Sequence, residues 1–388
     1  VVVSPLDVEP RIETLTFARY RAFRDEQTVK LGRLTLVYGE NNAGKSALLR
    51  LPALLAVSRT PGEPGLTLGG PPEGASFRDV QWRGALPSNE DPDLILGVGI
   101  GTTNWRWTFA WQDLKAAASL ANAELRVGET VVKLPNADAF DGILPPKEHE
   151  FEEAREGLNH ALGSVIWLSS RRDVPSRSGS ARGARGTFGR TNNAAAREVA
   201  ADASLRTAVS GWYEKHARVR IEVEALGRDL ERLVFQPVDA RFAVAFRDVG
   251  EGLQQVFGVV ASLEHLREKG GLLCVEEPES HLHPRLQQAL AELIVDVLAS
   301  QPKASVVLET HSEIFLLAAL RATVGKLASA STEVCLYWVA AEADGAAHVE
   351  PIALDEAGRP ESDRLEQAFA VMGTMRRDLL QARKSHGR

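Results

Sequence analysis

The chain has 388 residues, of which 44% are hydrophobic and 25% charged, with 32 glycines, 19 prolines and two cysteines. That balance excludes a disordered or fibrous protein and leaves room for one large core or two smaller ones. A net charge of −7 excludes a surface coated in positive charge for indiscriminate nucleic-acid binding, while leaving local basic patches open.

In chain order, residues 12–17 and 34–37 read as strands, separated by the basic and aromatic stretch 18–23. Residues 47–57, apolar at nearly every position, form a buried helix opening at Lys45 and Ser46. Residues 60–74 are a glycine- and proline-rich loop. Across 94–112, Trp105, Trp107, Phe109 and Trp111 alternate with smaller or polar residues, the two-residue period of a strand with one buried face, and the rings are assigned to the core. Residues 124–134 form a strand pair around Gly128, so this portion is antiparallel. A short amphipathic helix at 148–162 and a strand at 165–168 follow.

Arg171, Arg172, Arg177, Arg182, Arg185 and Arg190 then lie in a serine- and glycine-rich segment with one acid, Asp173. This basic loop is a candidate DNA contact, with a solvated loop, or arginines reaching the nucleotide or a partner protein, as the alternatives. Residues 194–233 have a helical pattern but only enough length for a short lobe. Strands at 272–275 and 305–308 bracket a helix at 284–298, a parallel strand–helix–strand crossover. Residues 361–388 read as a helix with a basic end. No apolar run approaches the about 20 residues of a membrane span and residues 1–11 lack a leader pattern, so a cytoplasmic protein without a membrane partner is expected. Cys274 and Cys335, each inside an apolar run, are expected to be free buried thiols.

The strongest chemical signal is Gly-Glu-Asn-Asn-Ala-Gly-Lys-Ser at 39–46. It satisfies the G-x-x-x-x-G-K-[ST] spacing and lies between a predicted strand and a predicted helix. Gly39, Asn42 and Gly44 let backbone N–H groups curl around phosphates, Lys45 reaches the outer phosphates and Ser46 ligates a magnesium ion. The second signal is Glu276–Glu277, two carboxylates that end an apolar strand, where a magnesium-side acid and a water-polarising acid are needed.

Together these motifs resemble the ABC-class P-loop ATPases, and among them the OLD-like and SMC/RecF-like heads, in which the acid pair is followed by a Pro-Glu-x-His-Leu-His-Pro run, here 278–284. The resemblance implies a single composite α/β head over 1–388: a P-loop segment (1–90), an antiparallel β portion (91–170), a basic loop with a helical lobe (171–247), the signature, acid pair and switch (248–350), and a C-terminal helix (351–388). It gives Glu276 to the magnesium ion and its water shell and Glu277 to water positioning, and sends residues 280–283 across a dimer interface. His311, in 306–314, becomes the switch histidine at the terminal phosphate. Asp-Val-Gly-Glu-Gly-Leu-Gln-Gln-Val at 248–256 is similar to the signature presented to a partner's ATP, with Gly250, Gly252 and Gln254 as contacts; the family more often has serine where Gln254 stands.

Gln81 is a candidate for the glutamine loop that senses nucleotide state, and Tyr20, Arg21 and Phe23 resemble a segment near the adenine or ribose. His281 and His283 with Glu279 have the spacing of a metal site, although interface contacts explain them more simply. No room for a TOPRIM nuclease is expected after His311. The resulting expectation is an ATP- and Mg2+-dependent ATPase. It forms a homodimer around ATP and regulates a DNA-directed process such as repair or anti-phage defence through a separate effector. A nucleotide-gated scaffold with little turnover and the ATPase subunit of a transporter are the alternatives.

Overall fold

A computed structural model describes residues 10–59, 62–68, 76–84, 93–112, 117–148, 151–173, 192–226, 231–327, 333–355, 358–367 and 369–370. At its centre is a seven-stranded sheet in the order β16 (Pro360–Glu361), β15 (Ala347–Leu354), β14 (Val334–Ala341), β3 (Leu34–Gly39), β13 (Ala304–Glu309), β12 (Gly271–Glu276), β8 (Val165–Leu168). The run from β14 to β8 is parallel, and β15 and β16 close one edge antiparallel. A six-stranded antiparallel sheet has the order β2 (Gln27–Lys30), β1 (Ile12–Ala18), β4 (Leu94–Ile100), β5 (Thr103–Gln112), β6 (Ala117–Val127), β7 (Thr130–Val132). A small antiparallel sheet of β11 (Val244–Ala245), β10 (Glu231–Pro237) and β9 (Val219–Ala225) completes the β structure.

The parallel strands are apolar at successive positions because both of their faces are covered. Leu273, Val275, Val306 and Leu308 point into one core, and Leu272, Cys274 and Val307 into the other. On the second face α1 (Lys45–Ser58) is packed between the two large sheets. It is buried nearly all round, with Leu48, Leu49, Leu51, Leu54 and Leu55 all at 0% exposure. The short α2 (Phe77–Val80) and α3 (Glu152–Gly163) flank this side. The first face carries α4 (Asn192–Ala201), α5 (Ala203–Ala217), α6 (Glu251–Lys269), α7 (Pro284–Ser300) and α8 (Glu313–Thr323).

The aromatic alternation of β5 is a core face, as its period requires. Trp105, Trp107 and Phe109 are buried, the two indoles stack with centroids 6.0 Å apart, and Trp107 Nε1 donates to the Ile143 carbonyl at 3.1 Å. The Trp111 side chain lies outside the described residues. Cys274 is buried and Cys335 partly so, and both are free.

Two expectations need correction, and a third is met over the described residues only. The stretch 94–112 is a hairpin, β4 and β5, turning at Gly101. The helical lobe ends at Ala217, and residues 219–225 form strand β9, in which Val219 and Ile221 are buried while Arg220 and Glu222 are exposed. That two-residue alternation was hidden behind the high charge of the stretch. The C-terminal helix from 361 is helical at 363–367 and 369–370; residues 371–388 lie outside the described residues, as do Arg177, Arg182, Arg185 and Arg190 of the basic loop.

Because Trp107 fills the space between the antiparallel sheet and the segment at Ile143, Trp107→Ala should destabilise the protein by about 3–5 kcal/mol. Urea denaturation followed by intrinsic fluorescence and circular dichroism would measure it; a loss under about 1 kcal/mol would remove this ring from the core.

Candidate functional site

The site forms where β3, β13 and β12 end together. Register pairs Glu276 with Glu309, and Glu309 with Val37, two residues before Gly39. From Gly39 the chain turns through 40–44 into α1. Asn42 has φ 64° and Gly44 φ 97°, and a Cβ on Gly44 would come within 2.9 Å of the Ala22 side chain. Left-handed residues at 42 and 44 alternating with Ala43 give the kind of nest of N–H groups suited to an anion, and the N-terminus of α1 adds partial positive charge. Lys45 is 3% exposed, and its ammonium donates to the carbonyls of Gly39 and Glu40, which holds the side chain back along the loop. Burial pushes the Lys45 pKa down, opposed by Glu309, Glu277 and Glu40.

Ser46 Oγ donates to Glu309 Oε1 at 2.9 Å. Glu309 is 2% exposed, and burial raises its carboxyl to about 7. Glu276 is 1% exposed and is held bidentately by Arg50, with Nε on Oε1 and Nη2 on Oε2, while the Ser170 N–H also donates to Oε2. Arg50 lies four residues beyond Ser46, on the same face of α1.

Glu277 has φ 42°, a conformation that costs a side chain of this size of order 1–3 kcal/mol and that recurs at functional sites. It is held there by its N–H on the Glu309 carbonyl and by Ser280 Oγ on its carboxylate, at 3.1 and 2.9 Å. His311 is solvent-facing, with its pKa lowered by burial of the ring's inner side and by Lys45. The ligand atoms of Glu277, Glu309 and His311 all lie within 4.8 Å of one another. Beneath them the buried Glu279 accepts from Thr310 Oγ1 at 2.6 Å and from the His311 N–H at 3.0 Å, tying the acid-pair loop to the switch segment.

The candidate signature leads into α6, capped by the exposed Gly250. A Cβ on Gly252 would stand 2.4 Å from the His281 carbonyl, so glycine is what lets the acid-pair loop lie against this helix. Within the chain His281 faces Glu251 at 3.6 Å, and His283 caps α7 through Nδ1. They join no metal group with Glu279 among the described residues. Gln254 departs from the expected nucleotide contact. Its side chain is turned inward, 7% exposed, and its amide donates to the Arg247 and Val249 carbonyls.

Gln81 is half-buried, bridged to Tyr20 and closing α2 through its N–H. Tyr20 and Phe23 are core residues rather than surface near a nucleotide: both are 0% exposed, and Tyr20 OH donates to the Ala47 carbonyl at 3.1 Å, which braces the start of α1 from behind.

Arg50, Asn192 and Glu309 were not singled out as site residues by sequence, and Arg172, a candidate DNA contact, is instead buried against the acid-pair loop. Arg172, placed in the basic loop by its neighbours, is 5% exposed and donates to the carbonyls of Glu276, Glu277 and Gln255, while Gln255 Nε2 donates back to its carbonyl. Burial lowers its pKa to about 10. Asn192, fully buried, donates to the Gln254 carbonyl and accepts from the Gly258 N–H, residues four apart on α6. A signal existed for Glu309, since it ends an apolar strand as Glu276 does.

Comparison with known proteins gives the same picture. The family model described as "AAA domain, putative AbiEii toxin, Type IV TA system" matches residues 34–318. An OLD nuclease of Thermus scotoductus is 34% identical over 70 residues, a stretch that spans 18% of this chain and 13% of that protein. An SMC head solved with the C-terminal winged-helix domain of ScpA matches with TM-score 0.56 at 12% identity, covering 90% of this chain and all of that one. The Pyrococcus furiosus SMC head with an extended coiled coil, bound to the C-terminal domain of ScpA, matches with TM-score 0.53 at 9% identity over 95% and 100%. At such identities the structural matches speak for the fold, which is that of an SMC-type ABC-ATPase head.

Removing Arg50 would leave Glu276 buried beside a P-loop helix without its counter-charge. Arg50→Ala should therefore cost about 3–5 kcal/mol in chemical denaturation, and Arg50→Met with Glu276→Leu should recover most of it. Equal stability of Arg50→Ala and wild type would deny the pair its structural role.

Proposed function

The chain belongs to this AAA domain family, and from that premise we propose that it binds ATP with Mg2+ and hydrolyses it, working as a homodimer. The observation that carries the reading is the convergence of the P-loop, Lys45 and Ser46 with Glu277 and His311 at the ends of three adjacent parallel strands. Gly39, Asn42, Gly44 and Lys45 would hold the phosphates, and Ser46 would give a hydroxyl to the cation. When bound, the cation neutralises phosphate charge. Glu277 is the candidate to orient the attacking water and take its proton, its strained backbone fixing the carboxylate, and His311 to contact the terminal phosphate. Gly250 and Gly252 open α6, whose N-terminus would face the partner's phosphates; a chain with one P-loop and one signature completes two sites by twofold pairing.

The role we propose for the switch is to regulate a DNA-directed process through a separate effector, in keeping with the OLD nuclease likeness and with the arginines following Arg172. Among the described residues no helix is long and apolar enough to cross a membrane. A nucleotide-gated scaffold with low turnover is favoured by one observation, the inward commitment of Gln254. Steady-state ATPase rates with and without duplex DNA separate the two.

Glu277→Gln should keep ATP binding and lower turnover by about 10²-fold or more, because the amide fills the same space without accepting a proton. It should also accumulate ATP-dependent dimer in sedimentation velocity. Turnover within a factor of a few of wild type would move the water-positioning role to another residue.

A further inference from the structure

Three observations separate the two carboxylates that face the P-loop helix. Glu276, the acid expected on the cation side, has both of its oxygens engaged by the Arg50 guanidinium, with the Ser170 N–H behind them. The hydroxyl of Ser46 goes instead to Glu309 Oε1. The other oxygen of Glu309, in a residue 2% exposed, has no hydrogen-bond partner among the described residues. A buried carboxylate oxygen left unpaired is costly, and such groups in folded proteins are nearly always satisfied by a donor or a metal ion.

We propose that Glu309, rather than Glu276, is the carboxylate on the cation side of this site, receiving a divalent cation together with Ser46, and that Glu276 instead anchors Arg50. The proposal rests on the nucleotide-site reading for the identity of the cation's second partner, the phosphates, but not for the cation itself. The residues present fit a divalent cation. Glu309 offers an unpaired buried oxygen, Ser46 a neutral oxygen beside it, and Glu277 and His311 place ligand atoms within 4.8 Å of each other and of Glu309.

This division gives the two acids different jobs. Glu276, neutralised by a guanidinium on the same helix that carries Ser46, ties α1 to the end of β12. Glu309 is free to exchange its hydrogen bond from Ser46 for a metal ion, with Ser46 turning its oxygen lone pairs to the same ion. Because an imidazole lies beside the two carboxylates, Mn2+, which tolerates nitrogen as well as oxygen ligands, is a suitable probe.

The test is Mn2+ binding by electron paramagnetic resonance of the free ion, on the full chain, with the metal alone and with ADP present. Thermal melting checks that each variant is folded. Wild type should bind Mn2+ in both conditions; Glu309→Gln should weaken binding at least tenfold in both, while Glu276→Gln changes it less than threefold. Glu309→Asp, which keeps the charge but withdraws the carboxylate, gives an intermediate loss and serves as the readout if Glu309→Gln does not fold. Binding in Glu309→Gln or Glu309→Asp within threefold of wild type, a larger loss in Glu276→Gln, or no Mn2+ bound by wild type in either condition would each overturn the assignment. Wild type that binds Mn2+ through Glu309 yet binds no ADP would leave this inference standing and defeat the nucleotide reading.

Discussion

The in-register parallel pairing of β3, β13 and β12 is the constraint on which the site depends. β12 and β13 start and end level, Gly271 opposite Ala304 and Glu276 opposite Glu309, while β3 lies with Val37 opposite Glu309 and runs two residues further to Gly39, so all three end at one edge of the sheet, separated sideways by strand spacings of about 4.8 Å. Everything that follows each strand, the P-loop, the acid-pair loop and the switch segment, therefore begins from adjacent points. A slip of one residue in β12 or β13 would turn its terminal acid to the opposite face, away from α1.

Holding several carboxylates in a buried edge requires compensation, and the fold supplies it locally. Arg50 neutralises Glu276, and Arg172 donates to the main-chain carbonyls of the acid pair rather than to the acids themselves. Glu279 accepts from Thr310 Oγ1 and from the His311 N–H on one oxygen, Oε1, so the imidazole is carried on a backbone that the acid-pair loop itself holds. The same economy links the site to α6. Arg172 and Gln255 exchange hydrogen bonds, and the buried Asn192 amide spans the Gln254 carbonyl and the Gly258 N–H. Residues 172 and 192, at the two ends of the arginine-rich segment, are thus both fastened to the helix that carries the candidate signature.

The P-loop and the acid pair were legible because their chemistry needs contiguous residues in a fixed local context, strand then glycine turn then helix. The tryptophan alternation was legible because burial on one face of a strand writes itself with period two. Other features depend on partners distant in sequence. Nothing local distinguishes the Glu276 that meets Arg50 from the Glu309 that meets Ser46, since both end apolar strands. Tyr20 and Arg172 look like surface residues beside basic neighbours and are buried only because α1 and the acid-pair loop pack over them. The strand at 219–225 carries its pattern in valine and isoleucine but is diluted by charge, and it continues directly from a true helix. Gly252 reads as a flexible turn until the His281 carbonyl is seen pressed against it.

The central claim is that the loop at 39–46 holds nucleotide phosphates through Lys45, and calorimetric titration of ATP into wild type and Lys45→Ala tests it most directly. Wild type should bind with saturable heat in the presence of Mg2+. The variant, with an unchanged melting temperature, should lose binding at least 10²-fold, since it lacks the one buried cation aimed along the loop. Equal affinity in the folded variant, or no binding by wild type, would contradict the account.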